Sequence, residues 1–414
     1  MAKSYRTQKV HLRHNESRQV ENVIVLQGGG SLGAFSCGVF KALEKNKIRV
    51  DIAAGTSVGA INAAIIAGSK NETPGKDLEA FWLELAESNL AIIPDMLVFE
   101  YDRQRKVYDL QSVSSAPINA GVFGVPKMFV PRWSLNSIVN DRNYFMPCNW
   151  TYVYDHSPLE KTLEKYVDYR KLSPGHTKKE GTSSPSSSLS SSAIRLIITA
   201  VNVLTAEPLV FDSSRMEIQI KHLLASCGYP IYGFPWIEVE KGLYAWDGSL
   251  LSNTPVREVI DASPRNDKHI FIVENYPRQI DRLPSNMTEV LDRAKDIIFS
   301  DKTKHSIKMS RLVTRQIQLI ESLYDIFAKC EQSKLLTSRE VREIKKEYNI
   351  LVQNYGAEIH SVIRVARNRL ESPNIRKNAD FSPKAIRRLI LEGEKAATEK
   401  LKNLKKNTEV NGTK

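Results

Sequence analysis

Two short apolar runs, each stopped by glycine and followed at once by a helical pattern, constrain this chain more than any other feature. Residues 23–26 (VIVL) are too few for a buried helix and end in three successive glycines. Residues 31–47 then carry Leu32, Phe35, Val39, Phe40 and Leu43 at helical spacing. The unit repeats: 50–54 is a second short strand, 58–67 a second apolar helix ended by Gly68 and Ser69, and 78–86 a third helix. Strand, helix, strand, helix with short links makes neighbouring strands parallel and predicts an α/β fold. Further strands are expected at 194–201, 208–211 and 270–273.

The chain has 414 residues, more than one small core requires. The reading divides it into a basic arm at 1–20, an α/β domain at 21–283, and a helical basic extension at 284–414. Inside the domain, 173–192 (SPGHTKKEGTSSPSSSLSSS) has too few apolar side chains to offset its ordering entropy and reads as a mobile loop. The segment 91–154, rich in aromatic residues, Pro and Gly, is expected to give loops, short helices and part of a pocket wall. In the extension the best-marked helix begins at Ser382, a natural N-cap, followed by Pro383, with Phe381 placed to staple onto Ile386. Its Ile386, Leu389, Ile390, Ala397, Leu401 and Leu404 share one face.

The net charge of +12 is concentrated at the C-terminus, where 361–414 holds 14 Lys and Arg against 6 Asp and Glu. Such a basic end suits either a solvated face or peripheral contact with an anionic membrane, the apolar face of the last helix lying inward. No nucleic-acid partner is expected, and a homo-oligomer is left open. No run is long and apolar enough to span a membrane, and the polar N-terminus has no signal-peptide core. The four cysteines form no C-x-x-C pair, so neither a zinc site nor a redox motif is expected, and they suit a reducing cytoplasm.

Three motifs carry chemistry. In Gln27-Gly28-Gly29-Gly30-Ser31-Leu32-Gly33, glycines between a strand and a helix N-terminus let backbone N–H groups approach an anion, either a phosphate or the oxyanion of acyl transfer. Gly55-Thr56-Ser57-Val58-Gly59 is G-x-S-x-G between a strand and a helix, the setting in which a sharp turn presents a nucleophilic serine. Gly55 and Gly59 would permit the close chain approach of that elbow. Asp247-Gly248-Ser249 follows an apolar run and, alone, reads as a turn. The strand before it should bring Asp247 to the carboxyl edge of the sheet, where parallel α/β folds bind ligands.

In this order the three motifs resemble the patatin-like phospholipases, with supporting stretches LQGGGSLGAF, AAGTSVGAINAAIIAG and DGSLLSNTPV across about 21–275. The segment DFSPKAIRRLILEG is similar to the helical C-terminal extension of bacterial-type members. The resemblance implies a three-layer α/β fold with a mainly parallel central sheet. It implies a lipid acyl hydrolase with Ser57 as nucleophile, Asp247 as base, and Gly28, Gly29 and Gly30 as the oxyanion loop. Gly248 supports the aspartate turn, and no histidine, metal or cofactor takes part. Three positions depart from the pattern: Gln27 replaces the Asp of plant-type members, Leu32 a frequent Arg or Lys, and Ser249 the second glycine of the aspartate turn. The histidines after Asp247 fit a dyad, since His269 should lie at a strand start and His305 and His360 in charged helical sequence. Three alternatives remain: an acyltransferase using the same dyad, a non-catalytic lipid-binding protein, and a dinucleotide-binding module. The last would use Gly28, Gly30 and Gly33 with Asp51, but Asp51 begins its strand where a ribose-binding acid should end one.

Overall fold

A computed structural model describes residues 20–89, 91–102, 107–134, 138–139, 144–177, 193–262, 266–300, 304–332, 338–354, 359–367 and 377–411. The expected basic arm and most of the Ser-rich loop lie outside these residues. The strands are β1 Val20–Leu26, β2 Ile52–Thr56, β3 Met96–Asp102, β4 Val107–Val113, β5 Val130–Pro131 and β6 Tyr154–Asp155. They continue with β7 Arg195–Asn202, β8 Pro208–Asp212, β9 Ile237–Glu240, β10 Leu243–Asp247, β11 Asp267–Glu274 and β12 Ile359–Ala366. Eight of them form one mixed sheet in the order β12-β11-β1-β2-β7-β10-β9, with β8 also on β7. The run from β12 to β7 is parallel throughout.

Alternation along the central strands builds the three layers. Ile24 and Leu26 of β1 face one core with Ala53, Leu196 and Ile198, while Val23, Val25, Ile52, Ala54 and Ile197 face a second core on the opposite side. The first core is covered by α1 (Ala34–Lys45), α2 (Val58–Gly68), α3 (Pro74–Ser88) and the C-terminal helix Pro383–Asn411. Val256, Val259 and Ile307, from the helices Val256–Ile260 and Lys304–Gln332, cover the second.

Two expectations shift. The second strand runs to Thr56 rather than stopping before Gly55. Gly55 stays extended because its missing side chain leaves room for the Gly59 carbonyl oxygen, 2.1 Å from where a Cβ would stand. The C-terminal extension is not helical alone. It contributes β12, parallel to β11, which pairs Ile270 with Val362 and Ile272 with Arg364. His360 therefore lies on a strand and not in a helix.

The last helix is held as its sequence suggests, with the Ser382 hydroxyl accepting the Ala385 N–H at 3.3 Å. Ile386, Leu389, Ile390, Ala397 and Leu401 are buried, so its apolar face is already occupied by protein. At the crossing with α1 the two backbones touch. A Cβ on Gly38 would meet the Ile390 carbonyl oxygen at 1.9 Å, and one on Gly393 the Phe35 carbonyl oxygen at 2.1 Å. Neither neighbour is a side chain that can swing away, so Gly393→Ala should destabilise the protein by about 1–3 kcal/mol. Denaturant unfolding checks this, and an unchanged midpoint would contradict the close crossing.

Candidate active site

The sheet topology brings the sequence motifs together. Odd-numbered residues along β7 and just past its end direct their backbone groups to one edge: the Arg195 N–H donates to Asp51 O at 2.9 Å, and the Val203 N–H donates to Tyr244 O at 2.9 Å. The Asn202 N–H donates to Glu207 on the other edge, where β8 lies. Strand β10 therefore occupies the edge of β7 that β2 also uses, beyond the point where β2 stops. Thr56, the last residue of β2, pairs with Thr199, while Asp247, the last residue of β10, pairs with Ala200. The two strands approach head-on, and the next residue after β2 is Ser57. Asp247 thus reaches the carboxyl edge on an antiparallel strand, not as the terminus of a parallel one.

Ser57 sits at φ 58°, ψ −134°, a conformation rarely adopted by a residue with a side chain and one that costs about 1–3 kcal/mol. Surrounding contacts enforce it. The Ser57 N–H donates to Ser226 Oγ at 3.1 Å, and that hydroxyl donates to Thr199 O at 2.8 Å, tying the turn to β7. The Thr56 and Thr199 hydroxyls meet at 2.7 Å. A Cβ on Gly59 would strike Leu26 O at 2.2 Å, so the helix after Ser57 can press against the end of β1 only with glycine there. Gly248 is similarly confined: a Cβ there would stand 2.7 Å from the Thr199 hydroxyl oxygen and 2.8 Å from its carbonyl oxygen.

The Asp247 carboxyl is buried, and Oδ1 accepts the Ser249 N–H at 2.8 Å. Oδ2 has no regular hydrogen-bond partner among the described residues. Burial pushes the pKa of this carboxyl up to about 6, against the opposing influence of the Ser249 N–H and of the Ser57 and Ser249 hydroxyls. Ser57 therefore acts on the carboxyl without completing a regular hydrogen bond. Ser249, in place of a second glycine, adds a hydroxyl that donates to Asn253 Oδ1 at 3.0 Å.

The glycine loop is held by buried amides that the motifs did not reveal. Asn253 Oδ1 accepts the Gly28 N–H at 3.0 Å, and Asn253 Nδ2 donates to Phe299 O at 3.1 Å. Gln27 Nε2 donates to the Thr254 hydroxyl at 2.9 Å, and Gln27 Oε1 accepts the Asn275 N–H at 2.8 Å. Asn275 Nδ2 donates to the Gln27 and Gly28 carbonyl oxygens at 2.9 and 3.1 Å. The residue standing where plant-type relatives carry Asp is thus a buried brace. With its N–H committed to Asn253, Gly28 differs from Gly29 and Gly30, which line a cavity of about 480 Å³ together with Ser57 and Asp247. Gly30, at φ 56°, lies so close to Asn378 that a Cβ would stand 2.2 Å from its carbonyl oxygen.

The cavity wall comes from distant parts of the chain. Pro117, Ala120, Met128 and Phe129 come from the aromatic-rich segment, and Tyr229, Ile231, Tyr232 and Phe234 from the stretch before β9. The extension supplies Lys295, Phe299, Asn378, Ala379 and Phe381. Phe381, read in sequence as a staple, packs edge-on against Phe129 in this wall, with ring centroids 6.4 Å apart. A buried ion pair between Lys377 and Asp296 at 2.7 Å fixes the segment, whose Lys377 carbonyl oxygen accepts the Ser31 hydroxyl at 3.2 Å. His156 also lines the cavity. Its Nε2 lies 3.0 Å from Leu224 O, an acceptor, so the proton sits on Nε2 and the bare Nδ1 is buried without a partner among the described residues. Burial lowers its pKa. His269, against Ser361 at 2.7 Å, and His360, 3.2 Å from Asp267, lie at the starts of β11 and β12, the opposite edge of the sheet. Asp51 lies on that edge too, accepting the Asn22 N–H at 2.8 Å.

The model of the patatin-like phospholipase family matches residues 24–260, more than half of the chain. The chain belongs to the patatin-like phospholipase family. This patatin-like chain is also similar to a lysophospholipase, nte1, of Aspergillus terreus (strain NIH 2624 / FGSC A1156), at 47% identity over 51 residues. That likeness spans 12% of the chain and 3% of the fungal protein. Among solved structures, VipD from Legionella pneumophila aligns over 93% of this chain and 67% of its own, at 14% identity and a TM-score of 0.36. No described helix is long and apolar enough to cross a membrane.

The raised pKa of Asp247 has a stability consequence. Because the folded protein binds this proton more tightly than the unfolded chain, the associated stability is complete below the unfolded value near 4 and is lost as pH rises through about 6. Asp247→Asn removes the buried charge. It should raise the unfolding free energy at pH 8 by up to about 3 kcal/mol, the equivalent of roughly two pKa units, with the gain vanishing below about pH 4. Equilibrium unfolding of both proteins across pH tests the sign, and a variant less stable at pH 8 would contradict it.

Proposed function

We propose that the protein is a serine lipid acyl hydrolase that cleaves fatty-acyl esters through a Ser57–Asp247 dyad. The observation that carries this reading is the meeting of a strained Ser57 and a buried Asp247 in one largely apolar cavity. Ser57 Oγ attacks the acyl carbon while Asp247 takes the hydroxyl proton. The N–H groups of Gly29 and Gly30 receive the oxyanion, and Gly28 acts only through its hold on Asn253. The intermediate collapses with loss of the alcohol, which recovers the proton from Asp247. Water, activated in turn by Asp247, then releases the fatty acid from the acyl-enzyme. The incomplete resting contact between Ser57 and Asp247 is of the kind that tightens when substrate binds. Membership in the family supports lipid esters as the substrate class, and the aromatic wall gives an acyl chain an apolar surface.

A fluorophosphonate probe and medium-chain ester hydrolysis test the dyad. Wild type should label and turn over, while Ser57→Ala should lose labelling and Ser57→Ala and Asp247→Asn should each lower kcat by on the order of 10⁴-fold or more. Undiminished labelling of Ser57→Ala, or a wild type inert toward both reagents, would sink the proposal. The base must be ionised to accept a proton, so kcat/KM should rise with pH through about 6 and level off above it. A profile flat from pH 4 to 8 would count against Asp247 as base.

A further inference from the structure

We infer that the Tyr276 hydroxyl is a third hydrogen-bond donor to the acyl oxyanion, beside the Gly29 and Gly30 N–H groups. This assignment rests on the acyl-hydrolase reading of the site. Tyr276 is brought there by strand register: β11 lies next to β1, Val273 pairs with Leu26, and the residues following both strands enter the same cavity edge. Its backbone is fastened to the glycine loop, since Gln27 Oε1 accepts the Tyr276 N–H at 3.4 Å alongside that of Asn275. Its ring packs against Phe299, with centroids 5.2 Å apart and planes tilted by 32°. The side chain is therefore held from both ends.

The phenol oxygen points to the loop. It lies 3.4 Å from the position a Cβ would take on Gly29, and Tyr276 Cε2 lies 3.2 Å from the same point. The side chain is 3% exposed and lines the cavity that contains Ser57 and Asp247, yet the hydroxyl has no hydrogen-bond partner among the described residues. A hydroxyl that opens onto the cavity beside an anion-binding loop can donate to an anion held there, and a developing oxyanion is such an acceptor. Burial foremost, together with nearby acidic groups including Asp247, pushes the phenol pKa well above its ordinary value, so it donates a hydrogen bond without losing its proton. The donor also fills a gap noted in sequence, because Leu32 supplies no positive side chain at the loop.

The chemical step balances without proton transfer from tyrosine. The Ser57 Oγ–carbon bond forms, the carbonyl π pair moves onto oxygen, and the Ser57 proton passes to Asp247. Tyr276 only strengthens its hydrogen bond as charge builds on that oxygen. When the intermediate collapses the pair returns to the carbonyl and the alcohol leaves with the proton from Asp247.

The test compares wild type and Tyr276→Phe on an ester and on the matching thionoester, whose sulfur is a poor hydrogen-bond acceptor. Tyr276→Phe keeps the ring on Phe299 and removes only the hydroxyl. Expected are a fall in kcat on the order of 10²-fold with KM little changed, and a smaller ester-to-thionoester ratio than in wild type. An unchanged kcat, an effect on KM alone, or an unaltered ratio would overturn the assignment. If Tyr276→Phe does not fold, a fluorinated tyrosine at position 276 retains shape and hydroxyl while lowering the phenol pKa. Activity should then fall at alkaline pH relative to wild type, and coincident profiles would reject the role. Ser57→Ala, run in parallel with the fluorophosphonate probe, separates the two levels: loss of its labelling with a normal Tyr276→Phe rejects only the third donor. Activity that survives Ser57→Ala rejects the dyad and the third donor with it.

Discussion

The arrangement around the cavity depends on one shared strand edge. Strand β7 carries β2 along the first part of one edge and β10, running the other way, along the rest. Backbone hydrogen bonding fixes both registers, and a slip of one residue would turn Asp247 to the opposite face of the sheet. Ser57 and Asp247, 190 positions apart in sequence, are neighbours because Thr199 and Ala200 are. The Thr199 hydroxyl meets Thr56, its carbonyl oxygen accepts from Ser226, and its bulk requires glycine at 248. A single residue on β7 thereby touches the supports of both side chains.

Two unfavourable features are maintained by this frame: the left-handed backbone of Ser57 and the burial of an ionisable Asp247. Each lowers stability and each is concentrated in the cavity, where the local sequence works against ordinary folding preferences. The compensation is the dense packing around them. All of α2 is buried, residues 23–26 of β1 and the core of β2 are apolar on both faces, and the glycine loop is braced by Gln27, Asn253 and Asn275. A buried amide network of this kind is favourable only when its members are mutually satisfied.

The strand–turn–helix units, the glycine loop and the placement of Ser57 were legible in the sequence because they are local: a run of apolar residues, a glycine, a change of period. The C-terminal helix was legible for the same reason, down to the Ser382 cap. What escaped is non-local. The strand at Ile359–Ala366 lies in sequence dominated by helices, and its partner is about 90 positions earlier, so charge and neighbourhood pointed to helix for His360. The direction of β10 could not be read from Asp247-Gly248, which marks a turn whichever way its strand runs. Asn253 and Asn275 are ordinary polar residues until their partners are known, and Tyr276 sits after a strand with no motif around it.

The dependence of the cavity on Lys377–Phe381 also sets an order of events during synthesis. Ser57 and Asp247 both precede, in the chain, the strand that flanks β1, the Phe299 that packs on Tyr276, and the segment that meets Gly30. A growing chain can carry the reactive pair without its finished surroundings. The pocket wall is complete only when the segment before the last helix meets the glycine loop and that helix settles across α1 through Gly38 and Gly393.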